Sequence, residues 1–218
     1  MSPTAPGTRV QRMPRAQRRA QLLDAALNVF VSKGYHSAAM EDIADEAGVS
    51  KPVLYQHFPG KLDLYLALLD AQCDLLEGLV IEALESSNEH EERVYATVRA
   101  FFSFVADEGG AFRLIYESDL TNDPKVRHRL DALEAQLGDA IAQRIMQDTT
   151  LPQELAEMLG LAMSGAAQVM ARTWLAHGNQ FSQEVAAQAA GHLAWRGIGS
   201  FPVNRMGGDP APGSYPSE

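Results

Sequence analysis

The sequence predicts an all-α protein of about nine helices, with an N-terminal three-helix domain followed by a larger helical domain. Two observations carry this. Apolar residues recur at helical spacing along nearly the whole chain, as in Leu23, Leu27, Phe30 and Val31, and again in Val94, Val98, Phe101, Phe102 and Val105. No alternating run long enough for a strand interrupts them, and the turn signals GG, TNDP, TTLP and HGN fall between helical runs.

Taken in order, the first helix is expected over 15–33, ending at Gly34, a residue suited to the left-handed position beyond a C-cap. MEDIADEA and KPVLYQHF form two short helices, and a long helix follows over 61–84. SSNEHEE then breaks the pattern and marks a hinge between a small head and a larger body. The body holds helices near 91–107, 110–119, 123–147, 152–177 and 182–199. The expected division is a flexible basic arm at 1–14, a small three-helix head at 15–60, a larger helical domain at 61–201 entered through the long helix, and a disordered tail at 202–218. That tail has too few apolar groups to offset its ordering entropy.

At 218 residues, 46% hydrophobic and 21% charged, the chain can build one large core or two small ones. It has no apolar run of membrane-spanning length, and MSPTAPGTRVQRMPRAQRRAQ lacks the apolar centre of a signal peptide. A cytoplasmic protein without membrane contact is expected. One cysteine, Cys73, fits a reducing compartment and reads as a small buried hydrophobe. The net charge of −10 is unevenly spread: residues 1–61 carry eight Lys/Arg against five Asp/Glu, and the first 23 carry five arginines and no acid. A positive end on an acidic body suggests an anionic partner for that end.

In MEDIADEAGVSKPVLYQHF, Met40, Ile43, Ala44 and Ala47 give one apolar face, which Val49, Leu54 and Phe58 continue after the break. Helices this short are marginal in water and must be held against the first helix. Gly48 allows a turn with positive φ, Ser50 can cap the next helix, and Pro52 sits in its first turn. Two short helices joined by a glycine turn on a third make a helix-turn-helix, whose second helix enters the DNA major groove.

The stretch 15–69 resembles the N-terminal domain of the TetR family of bacterial transcription regulators, through ALNVFVSKGY, IADEAGVS, LYQHF and KLDLYLALL. Within that family it is similar to the actinobacterial regulators of fatty-acid synthesis (FasR-type), which share VSKPVLYQHF, KLDLYLALL and FRLIYESD. One position departs: the family's usual Thr or Ser before the second helix is Ala39 here, leaving Ser37 as a capping candidate.

The resemblance implies a recognition helix presenting Ser50, Lys51, Pro52, Val53 and Tyr55, with His57 and Lys61 beside the phosphates at its end. Lys51 suits guanine or phosphate, Tyr55 and His57 suit phosphate oxygens, and Lys61 opens the long helix, where amines and free N–H groups meet an anion. The arginine arm, including Arg15 and Arg19, reaches phosphates or a minor groove.

In the body, Phe101, Phe102, Phe104, Val105, Phe112, Leu114, Ile115, Tyr116, Met163, Met170 and Trp174 converge between helices. As a set they read first as core. The resemblance instead implies a ligand pocket there, lined by Phe101, Phe102, Val105, Phe112, Ile115, Tyr116, Met163, Met170 and Trp174. It suits a hydrophobic effector, with long-chain acyl-CoA the expected one and Arg113, Arg172 or Arg99 near its mouth for the phosphates. The small residues of LAMSGAAQVMA and VAAQAAGHLAW predict a homodimer through helices 152–177 and 182–199. Two recognition helices about 34 Å apart then match a palindromic operator.

Competing readings are a repressor of an efflux or catabolic operon sensing another apolar ligand, a helical adapter without a sensor, and an enzyme of lipid metabolism. The last has little support. Cys73 has no nearby base, no HExxH or GxSxG occurs, EHEE at 89–92 reads as a solvated helix start, His128 as exposed, and GIGS at 197–200 as a helix end. No catalytic residue, metal or cofactor is expected.

Overall fold

The computed structural model describes residues 13–198, apart from 108, 118, 119, 121, 178 and 179. The expected arm at 1–14 lies almost wholly outside the described residues, and the tail at 202–218 wholly so. Among the described residues there are nine helices and no strand: α1 Arg15–Ser37, α2 Met40–Glu46, α3 Lys51–His57, α4 Lys61–Glu85, α5 His90–Asp107, α6 Gly109–Tyr116, α7 Pro124–Asp148, α8 Gln153–Ala176 and α9 Gln183–Ile198.

The chain falls into two compact units that divide after Leu68, inside α4 rather than at its start. Aromatic packing explains why the first turns of α4 belong to the head. The Tyr65 ring meets Phe30 edge-on at 5.3 Å and Tyr35 at 5.2 Å. Around them Leu22, Ala26, Ile43, Leu54 and Leu64 are fully buried. Each such leucine contributes about 1.5–3 kcal/mol. This shared core lets two seven-residue helices persist.

The turn between α2 and α3 is built as the sequence expects. Gly48 has φ 63°. Its N–H donates to the Asp45 carbonyl at 3.0 Å, while Val49 N–H donates to Ala44 at 2.9 Å. Together these bonds form a Schellman C-cap on α2. Gln21 Nε2 on α1 donates to the Ala47 carbonyl at 2.8 Å and ties this turn to the first helix. Helical structure in α1 runs four residues beyond Lys33, but Gly34 interrupts it at φ 74°, ψ 160°. Ala39, not Ser37, is the N-cap residue of α2. The Asp42 carboxylate supplies half of a capping box by accepting from Ala39 N–H at 3.1 Å.

In the second unit α7 packs along α8 and α5 along α9. Close approach of α7 and α8 depends on glycine: a Cβ at Gly160 would collide with the Gly138 carbonyl, and one at Gly138 would meet Leu161 Cδ2 at 2.6 Å. Asp123 caps α7, accepting from Lys125 N–H at 2.9 Å and Val126 N–H at 3.3 Å. Arg129 on α7 holds the solvent side of α4 through Asp70 at 2.9 Å and Asp74 at 2.7 Å. Cys73 is fully buried, and that burial pushes its thiol pKa up to about 12.

Candidate nucleic-acid interface and ligand cavity

The head presents α3 with its apolar side inward and its polar side out. Leu54 is fully buried, Tyr55 is 45% exposed, Ser50, Lys51 and Pro52 are exposed, and Val53 and His57 are half-buried. Ser50 is the N-cap residue, yet its hydroxyl makes no capping hydrogen bond. Pro52 lies in the first turn, where its missing N–H costs little. Lys51 Nζ sits on Glu41 of α2 at 2.8 Å, and a hydrogen bond from that ammonium lowers the Glu41 pKa.

At the other end of α3, His57 faces the start of α1. Burial, then the charges of Arg15, Arg19 and Arg18, hold its pKa below the usual 6.5. Arg19 lies over the Phe58 ring at 4.6 Å, and Arg18 Nη1 donates to Gln21 Oε1 at 2.7 Å. One end of the head therefore concentrates three guanidiniums and a neutral imidazole, an arrangement that attracts phosphate.

Lys61 has a different position from the one expected. Its Nζ donates to the carbonyls of Tyr35 at 2.8 Å, Ala38 at 2.9 Å and His36 at 3.3 Å, and lies 4.5 Å from the Tyr35 ring centroid. These carbonyls lie at the end of α1, where the ammonium hydrogen-bonds them. All three contacts lie inside the head, where Lys61 caps the end of α1.

The second unit holds a partly open cavity of about 310 Å³ walled by α4, α5, α7, α8 and α9. Of the expected lining, Phe101, Met163 and Met170 face it. Phe102, Val105, Phe112, Ile115, Tyr116 and Trp174 do not. Phe102, Val105, Phe112 and Ile115 are closed core. Trp174 packs on Phe102 at 6.1 Å and donates from Nε1 to the Phe181 carbonyl at 2.9 Å. Tyr116 packs at a tilt on Phe112 with ring centroids 4.9 Å apart, and its burial raises its pKa. Arg113, Arg172 and Arg99 are likewise absent from the lining.

Val80, Leu84, Val94, Leu159, Leu193 and Trp195 supply most of the remaining apolar wall. The charged groups are on α5 and α7. Arg93, 3% exposed, pairs with Asp148, donates from Nη1 to the Ser87 carbonyl at 2.9 Å, and meets His90 Nδ1 at 2.9 Å. Arg144 also lines the cavity.

Residues 22–68 match the family model for bacterial regulatory proteins of the TetR family. Over 203 residues, 93% of each chain, the protein is 38% identical to the HTH-type transcriptional activator FasR of Mycolicibacterium smegmatis. The chain belongs to the TetR family. Among solved structures, a TetR-like transcriptional regulator from Rhodococcus sp. RHA1 superposes with a TM-score of 0.71 at 26% identity, covering 87% of this chain and all of that one. FadR from Bacillus subtilis, solved in complex with stearoyl-CoA, gives 0.64 at 20% identity, covering 80% and 96%.

As a TetR-family member the protein is a DNA-binding transcriptional regulator, and its relatives and fold are those of regulators rather than enzymes. No helix among the described residues is long and apolar enough to cross a membrane. No group of three or more His, Cys, Asp or Glu that could hold a metal ion occurs among them either. Sequence reasoning missed Arg93, Arg144, Asp148 and Trp195 in this regulator's cavity. Arg93 was hidden in the solvated-looking run HEER, and its partner Asp148 lies 55 residues away.

Proposed function

We propose that this regulator binds a palindromic operator as a homodimer, controls fatty-acid synthesis genes, and is itself controlled by a long-chain acyl-CoA whose acyl chain occupies the α4–α9 cavity. The observation that carries this reading is the 38% identity to FasR along nearly the full length of both chains. The apolar cavity supports it, as does the likeness in fold to a FadR that holds stearoyl-CoA. On the head, the contact residues are Ser50, Lys51, Pro52, Val53 and Tyr55 in the groove, with Arg15, Arg19 and His57 on the backbone.

Exposed apolar side chains support dimerisation through α8 and α9: Met158, Leu161 and Val169 on the first, Val185 and Leu193 on the second, the last 60% exposed. The effector acts through α4, which contributes residues to both compact units. Ligand and DNA affinities are then coupled reciprocally.

The test is to select bound genomic DNA with purified protein and titrate acyl-CoAs into the complex. Recovery of a two-fold symmetric site upstream of fatty-acid synthesis genes, with affinity changed by long-chain acyl-CoA alone, is the expected result. Selected sites beside efflux or catabolic genes, indifferent to acyl-CoA, would point to an operon regulator sensing another apolar ligand.

A further inference from the structure

The charged and titratable groups of the cavity gather at one end. His90 and Arg93 begin α5, Arg144 and Asp148 end α7, and all four line the same space. From Arg93 to Phe101 the α5 wall extends about 12 Å, through Val94, Thr97 and Val98. A cavity that is charged at one end and apolar along its length fits an amphiphile and fixes which way round it lies.

The charged groups are unequally occupied. Arg93 spends three of its N–H groups on Asp148, the Ser87 carbonyl and His90. Arg144 commits Nη1 to Gln147 at 2.7 Å, while its Nε is buried and has no hydrogen-bond partner among the described residues. A buried N–H without an acceptor is costly. Two guanidiniums against one carboxylate also leave the lining one positive charge in excess. A ligand carboxylate would remove both imbalances once Arg144 turns its Nε–H toward the cavity, whereas a thioester carbonyl would accept the hydrogen bond and leave the charge.

Resting on the acyl-ligand reading above, we propose that Arg144 is a binding residue of the cavity and takes the acyl oxygen of the ligand, whether carboxylate or thioester carbonyl. The hydrocarbon chain then runs along α5 toward Phe101 and Met170. Arg93 is the wall behind this contact and not the contact itself.

The experiment uses the full chain and its Arg144→Met variant, which keeps side-chain length and removes the donor. Palmitate, palmitoyl-CoA and 1-chlorohexadecane compete against a fluorescent fatty-acid probe, with melting temperature as the folding control. The variant should bind the acyl compounds at least about tenfold more weakly, the scale of one hydrogen bond to a charged group, and the chloroalkane equally well. Whichever acyl compound shows the loss identifies the head group as acid or thioester. Equal losses for all three compounds, or none, overturn the assignment. Should the variant fold poorly, wild type decides: a preference for the acyl compounds over the chloroalkane supports the contact, and parity refutes it. Wild type that binds neither acyl compound sinks the acyl-ligand reading itself.

Discussion

Lys61 Nζ at the start of α4 donates to the carbonyl of Tyr35 across 26 residues of chain. With Ala38 and His36 as further acceptors, this amine closes the end of α1 onto α4. Lys61→Met should destabilise the head by about 1–3 kcal/mol through the carbonyls it strands. Urea denaturation should show the loss, and DNA affinity should recover at temperatures where the head is folded. A variant of unchanged stability whose salt dependence falls by one phosphate contact would restore Lys61 to the DNA surface.

The ion pair of Lys51 with Glu41 sets a competition at the first turn of α3. Glu41→Gln should raise DNA affinity and steepen its dependence on salt, because it releases a cation and removes an anion beside the phosphates. Binding isotherms over a series of salt concentrations read both effects.

His57 carries a pKa below the usual 6.5, chiefly from burial and then from Arg15, Arg19 and Arg18. The unfolded chain therefore takes up a proton here before the folded one does, so this group's contribution to stability falls as pH drops through about 6.5 toward the folded value. Phosphate reverses the sign for DNA binding, which should take up a proton at His57 and strengthen on acidification. Imidazole NMR should find the His57 titration rising in Arg15→Ala and rising again on adding operator, and His57→Gln should remove the pH response.

Removing Asp148 leaves the buried Arg93 charge uncompensated, while removing Arg93 leaves Asp148 partly exposed with His90 beside it. Asp148→Asn should cost about 3 kcal/mol or more, Arg93→Met less, and a double replacement of both by apolar residues should recover much of the larger loss. Thermal unfolding of the three variants gives the comparison.

Gly160→Ala should destabilise strongly, since the added methyl meets the backbone of α7. Gly78→Ala has open space around it within α4 and should stabilise by about 0.5–1 kcal/mol. Parallel melts of these two variants separate crowding at the α7–α8 crossing from the intrinsic weakness of a helical glycine.

Local chemistry made the head legible in the sequence. Gly48, Pro52 and the spacing of Met40, Ile43, Leu54 and Phe58 act over a few residues, and the motif appears where they place it. Partners distant along the chain were not legible, as Lys61 on α1 carbonyls and Arg93 on Asp148 show. The cavity was legible only in smaller part, for a geometric reason. Phe101 and Phe102 are adjacent in sequence but about 100° apart around α5. One faces the cavity and the other is fully buried toward Trp174. Helical periodicity marks both as apolar without saying which of two neighbouring helices each will meet.

Cys73, the single thiol of the chain, stays protonated at neutral pH and is sealed from solvent. It is silent to alkylating reagents while α4 keeps its packing. Spin labels or fluorophores can thus be attached to cysteines introduced elsewhere on the wild-type background. Slow labelling of Cys73 itself then becomes a clock for transient opening around α4, including any change in that opening when an effector binds.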